Sequence, residues 1–453
     1  MSEQFKEQGG IATMDPGRFR RWLTSKMMTK FCSEKAQLKN QENAERTRLK
    51  NGLPHRVEYF HQVDDGYSHL SIQLLKELTD RYDVELVCHL VSVEEGDNTP
   101  EPELLLSLSH YDAALIAPHY GLDFVIDKLP LNKESITMVC SILANLSQTD
   151  FVDHGAEISQ AFWQQDNQKL DSLAQELGQK NDHETKSLIA QGNARRTHLN
   201  HYSGAMFYYG GEWYWGVDRF YHLEQRLAKL GLDTKKSSAL IAPRPSLKNE
   251  ARVNTKNLTL EIYPSLRSPY TAVVFDQTVR LAETTGVQLN AYPVLPMVMR
   301  GVPATIEKGR YILFDAGREA RAAGVPFGPC ADPIGEPSRR AYSLCQWAKQ
   351  QGKLIEFISA FLRCAWVDGI DTNKASGLKQ AVTIAGLDWN EAQQHLGSTA
   401  WQQQVEENRL KMYQAGLWGV PSFRLLNETG EPLLNVWGQD RLWLVERFIL
   451  DNT

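Results

Sequence analysis

No two cysteines stand two residues apart in this sequence, so the paired thiols that a disulfide exchanger needs are missing throughout. The six cysteines present, Cys32, Cys88, Cys140, Cys330, Cys345 and Cys364, have no zinc-site spacing either and read as buried, reduced thiols. No run of 18 uncharged apolar residues occurs, and the N-terminus, MSEQFKEQGG, lacks the apolar core of a secretory signal. A soluble, cytoplasmic chain with no integral membrane segment is therefore expected. A basic excess is also missing, because 49 Lys+Arg face 55 Asp+Glu for a formal charge of −6, which argues against a general nucleic-acid binder. What remains is 453 residues with 42% hydrophobic side chains, enough to fill two cores and too many for a disordered or fibrous chain.

The first fifty residues differ in character, with 11 Lys+Arg against 6 Asp+Glu. Phe19, Leu23, Met27 and Phe31 recur every four residues, with Trp22 beside them and Arg18, Arg20, Arg21, Lys26 and Lys30 interspersed. This spacing predicts a basic amphipathic helix. Its apolar stripe is expected to dock on the neighbouring domain; contact with an anionic membrane surface is the alternative.

From Pro54 the pattern runs strand, turn, helix, strand through HRVEYFHQV, DDGYSHLSIQLLKELTDRY and VELVCHLVSV. From Asn257 the same order returns in LTLEIYPSL, RSPYTAVVFDQTVRLAETTG and VQLNAYPVL. The closing segments echo each other too: YGGEWYWGVDRFYHLEQRL (209–227) and LLNVWGQDRLWLVERFIL (433–450) both read as strand, W-G-x-D-R turn, helix. The opening turns at 65 and 268 are 203 residues apart and the closing Asp218 and Asp440 are 222 apart, so order is kept while the helical middle differs in length. The expected fold is α/β. It comprises two tandem thioredoxin-like domains, each carrying an all-helical insertion, preceded by the basic helix. The expected boundaries are 1–53 for the basic segment, 54–231 for the first copy, 232–256 for a polar linker and 257–453 for the second copy.

Taken singly, the polar residues at the turns have ordinary roles. Ser268 precedes Pro269 at a strand-to-helix turn and reads as an N-cap, which stabilises a helix by about 1 kcal/mol. Val420-Pro421 reads as a trans X-Pro bond, Lys308 as a solvated charge and Asp440 as the cap of the last helix. Together, Ser268-Pro269-Tyr270-Thr271, Lys308-Gly309-Arg310-Tyr311, Gly419-Val420-Pro421-Ser422 and Trp437-Gly438-Gln439-Asp440-Arg441 form an ordered set across 257–453. In this set the second copy resembles the DsbA-like thioredoxin superfamily. The resemblance is to its glutathione-dependent branch of 2-hydroxychromene-2-carboxylate isomerase and kappa-class glutathione transferases.

The resemblance implies that Ser268 occupies the reactive-thiol position and donates a hydrogen bond to the thiolate of a bound glutathione, where the helix N-terminus also favours an anion. It implies a cis Val420-Pro421 turn against the cysteinyl part of glutathione. Gln439 and Asp440 are implied to hold the γ-glutamyl group, and Lys308 a carboxylate of glutathione or substrate. Glutathione is thus the expected cosubstrate, with no metal. Where the family often has Asn before a proline, this chain has Gly301-Val302-Pro303, so the amide that would help to hold the isomerase's own substrate is absent. Arg267 and Arg300 add positive charge near the expected mouth, either for an acidic substrate or for surface salt bridges.

The first copy departs further. Its turn reads Asp65-Gly66-Tyr67-Ser68, a carboxylate where a thiolate would have to sit, and Ala205 aligns with Pro421, while Trp215-Gly216-Val217-Asp218-Arg219 persists. It reads either as a structural partner or as a site of different chemistry, with Asp65, Ser68 and Asp218 as candidates and with Asp64, His61 and His69 nearby. A metal cluster on these groups is disfavoured because positions 61 and 65 fall on a strand and a turn, not on one helix face. The aromatic run Phe207-Tyr208-Tyr209 with Trp213-Tyr214-Trp215 reads as the core face of a hairpin, stacking on an aromatic ligand being the other use.

Three functional readings follow. The first is a glutathione-dependent isomerase or transferase acting on an unsaturated, acidic or aromatic small molecule. The second, a disulfide oxidoreductase, is disfavoured by the missing CxxC. The third is a non-catalytic tandem binding module. The chain is expected to be a monomer in which copy one replaces a second subunit, or a homodimer.

Overall fold

A computed structural model of the chain describes residues 15–93, 100–125, 131–249, 251, 255–302 and 304–452. Residues 1–14, Pro303 and part of the expected linker therefore lie outside the described residues. The chain divides into two units. One gathers the described residues up to Leu38, Pro100–Leu104 and the described residues from Pro245 on; the other gathers those from Lys39 on and Leu105–Arg244.

Helices α1 (Arg18–Cys32) and α2 (Glu34–Lys50) come first. The N-terminal sheet has the order β2-β1-β3-β4, from β1 (Arg56–His61), β2 (Glu85–Leu90), β3 (Met206–Tyr209) and β4 (Glu212–Trp215). Strand β1 is central because Val57, Tyr59 and Phe60 are buried on both its faces; it runs parallel to β2 and antiparallel to β3. Between β1 and β2 the pattern predicts one helix, and the chain instead forms α3 (Gly66–Ile72) and α4 (Leu75–Arg81). The inserted helices are α5 (Pro102–Tyr120), α6 (Lys133–Asn145), α7 (Gln148–Trp163), α8 (Asn167–Leu177) and α9 (Asp182–His198), and α10 (Gly216–Lys229) closes the domain. Phe207, Tyr209, Trp213 and Tyr214 are buried in the hairpin, as its aromatic alternation predicts.

The C-terminal sheet repeats the order as β6-β5-β7-β8, from β5 (Thr259–Tyr263), β6 (Gln288–Ala291), β7 (Ser422–Leu426) and β8 (Pro432–Trp437). Helix α11 (Pro269–Thr285) joins β5 to β6; Gly286 ends it at φ +76°, a left-handed cap that glycine adopts without side-chain strain. Helices α12 (Ile306–Ala322), α13 (Glu336–Gln350), α14 (Leu354–Trp366), α15 (Ala375–Ile384), α16 (Trp389–His395) and α17 (Trp401–Gln414) form the insertion, and α18 (Leu442–Asp451) the closure. The architecture is two tandem thioredoxin-like α/β domains with helical insertions.

The same bonds recur in both domains. Tyr67 donates to Asp112 at 2.8 Å and Tyr270 to Asp315 at 2.7 Å. The Gln62 N–H donates to Ser68 Oγ at 3.2 Å, and the Ser265 N–H to Thr271 Oγ1 at 3.3 Å. Glu224 accepts from the Ile241 and Ala242 N–H groups, as Glu446 does from those of Lys248 and Asn249. A buried glutamate sits on each central strand. Glu58 is held by Arg195 and His89, and Glu261 by Lys411 and Arg424. For Glu58, burial opposes ionisation, but the hydrogen bonds from Arg195 and His89 outweigh it and bring the carboxyl down to about 2.

Helix α1 packs on α12 of the C-terminal domain through a different face from the one its periodicity predicts. Phe19, Trp22, Leu23 and Met27 are 43–74% exposed, whereas Arg21, Met28 and Cys32 are buried. Beside α12 the docked face also meets a loop, and there it is polar. Arg21 donates to the carbonyls of Asp332 and Ile334, Ser25 Oγ accepts from the Asp332 N–H at 3.0 Å, and Thr29 Oγ1 accepts from the Cys330 N–H at 3.0 Å. Carbonyls and N–H groups of an irregular segment need such partners once buried.

Candidate functional site

In the C-terminal domain the turn after β5 meets the segment before β7, because Tyr263 pairs with Ser422 in the sheet register. Ser268 caps α11, its Oγ accepting the Thr271 N–H at 3.2 Å. The bond uses one lone pair, and the hydroxyl proton remains available as a donor. Ser268 is half-buried at the N-terminus of a 17-residue helix, where the unpaired N–H groups and the helix dipole favour negative charge.

The Val420-Pro421 peptide is cis. The Gly438 N–H donates to Pro421 O at 3.0 Å, which brings the Trp437-Gly438-Gln439-Asp440 turn beside it. Gly419 lies so close to Trp437 that a Cβ would stand 2.7 Å from the indole Nε1, so a side chain there would displace the ring. Trp437 in turn meets Trp418 edge-on, with centroids 5.3 Å apart. Lys308, in the first turn of α12, is buried with its ammonium 5.2 Å from the centroid of the Trp418 ring. Burial brings its pKa down to about 8. The indole pair therefore connects Lys308 to the cis-proline loop. Trp418 is a contributor that sequence reasoning passed over, although an aromatic two residues before a Val-Pro turn was the available signal.

The other sequence candidates have specific partners. Gln439 is buried and turned inward, its Nε2 donating to Glu319 at 3.0 Å. Asp440 is near the surface, 3.6 Å from the Arg441 guanidinium. Arg267 is a bidentate donor to Asp332, at 2.8 and 3.1 Å, and Arg300 donates to Leu295 O at 3.1 Å, so both are committed to internal acceptors.

In the N-terminal domain Asp65 stands where Ser268 stands in the other. It accepts from the N–H groups of Tyr67 and Ser68 and from the Ser68 hydroxyl, at 3.4, 3.0 and 2.8 Å. Burial nevertheless pushes it up to about 6, the cap bonds working in the opposite direction. Ser68 is fully buried, and Asp218 accepts from Tyr120 at 3.3 Å. Ala205 takes the place of Pro421, its carbonyl accepting the Gly216 N–H at 2.7 Å. His61 pairs with Tyr59 and His69 with Ser159, and burial holds both imidazoles down to about 3. Among the described residues no group of three His, Cys, Asp or Glu could hold a metal ion, and no helix is long and apolar enough to cross a membrane. A cleft of the same domain is lined by Arg48, Arg56, Arg195 and Arg226, each ion-paired to a glutamate.

The sheet order, the inserted helices and the Ser-Pro, Val-Pro and Trp-Gly-x-Asp-Arg turns define a thioredoxin-superfamily domain. Residues 259–449 match the DSBA-like thioredoxin domain family, so the C-terminal domain is a DsbA-like thioredoxin domain. The chain is similar to the 2-hydroxychromene-2-carboxylate isomerase of Sphingobium xenophagum, at 28% identity over 105 residues, 23% of this chain and 51% of that protein. It thus spans about half the length of that relative. A solved 2-hydroxychromene-2-carboxylate isomerase is similar at 18% identity and a TM-score of 0.37, with 43% of this chain and 95% of that chain covered. The cytosolic disulfide reductase DsbM from Pseudomonas aeruginosa is similar at 16% identity and a TM-score of 0.35, covering 43% and 96%.

Proposed function

We propose that the C-terminal domain is a glutathione-dependent isomerase or transferase that uses the thiolate of bound glutathione on an unsaturated, acidic or aromatic small molecule. The observation that carries this reading is Ser268: an N-cap whose hydroxyl proton is uncommitted, at the mouth of α11, on the turn that follows β5, whose last residue Tyr263 pairs with Ser422 directly after the cis Val420-Pro421 turn. In this reading the Ser268 O–H and the helix N-terminus lower the pKa of the glutathione thiol. The Val420 main chain lines the cysteinyl part of the peptide. Asp440 receives the γ-glutamyl ammonium, Gln439 acts through its main chain, and Lys308 holds a carboxylate. In an isomerase the thiolate adds to the double bond, rotation occurs about the resulting single bond, and elimination returns the thiolate; in a transferase the adduct leaves. The N-terminal domain, with Asp65 and Ala205 at the equivalent places, takes the position of a duplicated copy without this chemistry. Six free cysteines suit a cytoplasmic setting.

Calorimetric titration of glutathione into the wild type and Ser268→Ala, with the ultraviolet absorbance of the thiolate followed in parallel, tests the reading. Binding with a thiolate signal that Ser268→Ala weakens about tenfold or more is expected, a hydrogen bond to a charged group being worth roughly 1.5–3 kcal/mol. No binding at millimolar glutathione would overturn it and leave the tandem binding module.

A further inference from the structure

Helix α1 turns a polar face to its own domain and an aromatic and basic face outward. Leu23 lies about 200° round the helix from Arg21 and from Ser25, so the bonds that those two make to the loop at 330–334 hold the opposite side out. Rolling α1 to bury Leu23 would break them. Among the described residues, Phe19 is 74% and Trp22 56% exposed, their rings stacked with centroids 6.0 Å apart, and Leu23 and Met27 are exposed beside them. Lys26 and Lys30 rise from the same face, and exposed Arg18 and Arg20 flank it. Helix Arg18–Cys32 holds five Lys+Arg and no Asp or Glu, in a chain whose formal charge is −6. On α12, exposed Arg310 extends the basic surface, its guanidinium 5.8 Å from the centre of the Phe31 ring.

We propose that this face of α1 is a peripheral docking surface for membranes rich in anionic phospholipid, on which the helix lies in the plane of the interface. Phe19, Trp22, Leu23 and Met27 enter the boundary between headgroups and acyl chains, a place that suits aromatic and aliphatic side chains set among cations. Lys26 and Lys30 lay their hydrocarbon stems along that strip and bring their ammonium groups to the lipid phosphates. Arg18, Arg20 and Arg310 meet phosphates at its edges. An anionic surface repels the chain as a whole, but salt at about 0.1 M screens charges farther away than about 10 Å, so the local basic face decides the attraction and fixes the orientation. A second copy packed across a two-fold axis would set this face against itself, cation on cation. A nucleic acid has the phosphates but gives Leu23 and Met27 no apolar layer to enter. The membrane interface supplies both. With 15 residues α1 offers about 22 Å of contact, so it lies on the bilayer and does not cross it. The docking does not depend on the glutathione reading of the Ser268 site.

The test uses the full chain in flotation with vesicles of phosphatidylcholine, alone or mixed with phosphatidylglycerol. Flotation with the mixed vesicles and not with the neutral ones is expected, and raising the salt from about 0.1 M to about 0.5 M should release the protein, because the screening length shortens. Lys26→Gln with Lys30→Gln, which leaves every apolar side chain, should weaken partition by roughly tenfold or more. Phe19→Ser with Trp22→Ser, which leaves every charge, should weaken it to a similar extent. All four side chains are exposed, so melting of both paired variants should match wild type. Should a variant fail to fold, quenching of the wild-type fluorescence by bromine-labelled anionic lipid, reduced in Trp22→Phe, decides in its place. The proposal is overturned by no flotation with anionic vesicles, by equal flotation with neutral ones, or by undiminished binding in either folded paired variant. A stable dimer in light scattering that Phe19→Ser with Trp22→Ser dissolves would also overturn it and assign the face to a second copy.

Discussion

Ser268 and Asp65 occupy the same turn in two domains, and their surroundings give them opposite capacities. The serine caps its helix while keeping a donor for an incoming anion; the aspartate fills the same cap with its own charge. The folded Asp65 carboxyl sits near 6 against an ordinary 3.8, so the folded chain binds more protons than the unfolded chain in that interval. Stability therefore falls as pH rises from about 4 to about 6, and the loss is complete above it. Asp65→Asn keeps an acceptor for the cap and removes the charge. It should flatten that slope and raise stability at pH 7 by up to about 3 kcal/mol in urea unfolding, measured as a difference from wild type. An unchanged slope would mean that Asp65 does not titrate in this window. Lys308 makes the second prediction at this scale. Its amine is depressed to about 8 by burial, so the ammonium dominates below that pH. In the proposed function, binding of S-methylglutathione, which lacks a titrating thiol, should weaken above about pH 8. In Lys308→Met the affinity should be about tenfold lower and independent of pH in this range. The same pH break in both proteins would remove Lys308 from the site.

Among the elements, α1 shows most clearly where sequence reasoning stopped. The strands, the hairpin aromatics, the cap of α11 and the cis Val420-Pro421 turn were legible, since each is fixed by neighbours in sequence or by a motif held in order. The docking face of α1 was not. Apolar periodicity singles out Phe19, Leu23 and Met27, but α1 packs on α12 and also meets a loop whose carbonyl and N–H groups Arg21, Ser25 and Thr29 satisfy. For the same reason Arg267 reads as a mouth charge until Asp332 is seen beside it, 65 residues on. The two faces predict opposite mutational outcomes. Arg21→Ala leaves buried carbonyls and Asp15 without their donor and should destabilise the C-terminal domain by about 2–4 kcal/mol. Leu23→Ser, on the exposed stripe, should change stability by no more than about 0.5 kcal/mol. Denaturant unfolding of the two variants checks this, and the reverse order would show that the apolar stripe is the docked face.

At the scale of the whole molecule, each domain has its own sheet and its own buried core, and α1 joins the one farther away in sequence. Two cores with separate cooperative packing need not unfold together, so calorimetry should resolve two transitions in place of one two-state event. A ligand stabilises only the unit that binds it, by about 2.7 kcal/mol at a hundred times its dissociation constant. In the proposed function glutathione should therefore raise one transition and leave the other in place. The raised transition should be the one that Arg21→Ala lowers, because α1 and Ser268 belong to the same unit, and the unmoved one should be the transition that Asp65→Asn raises at pH 7. This pairing separates the reading from a general salt or reductant effect, which would act on both cores. Glutathione moving the Asp65 transition alone would transfer the binding site to the N-terminal domain, and equal movement of both would remove the distinction between an active and an inactive copy.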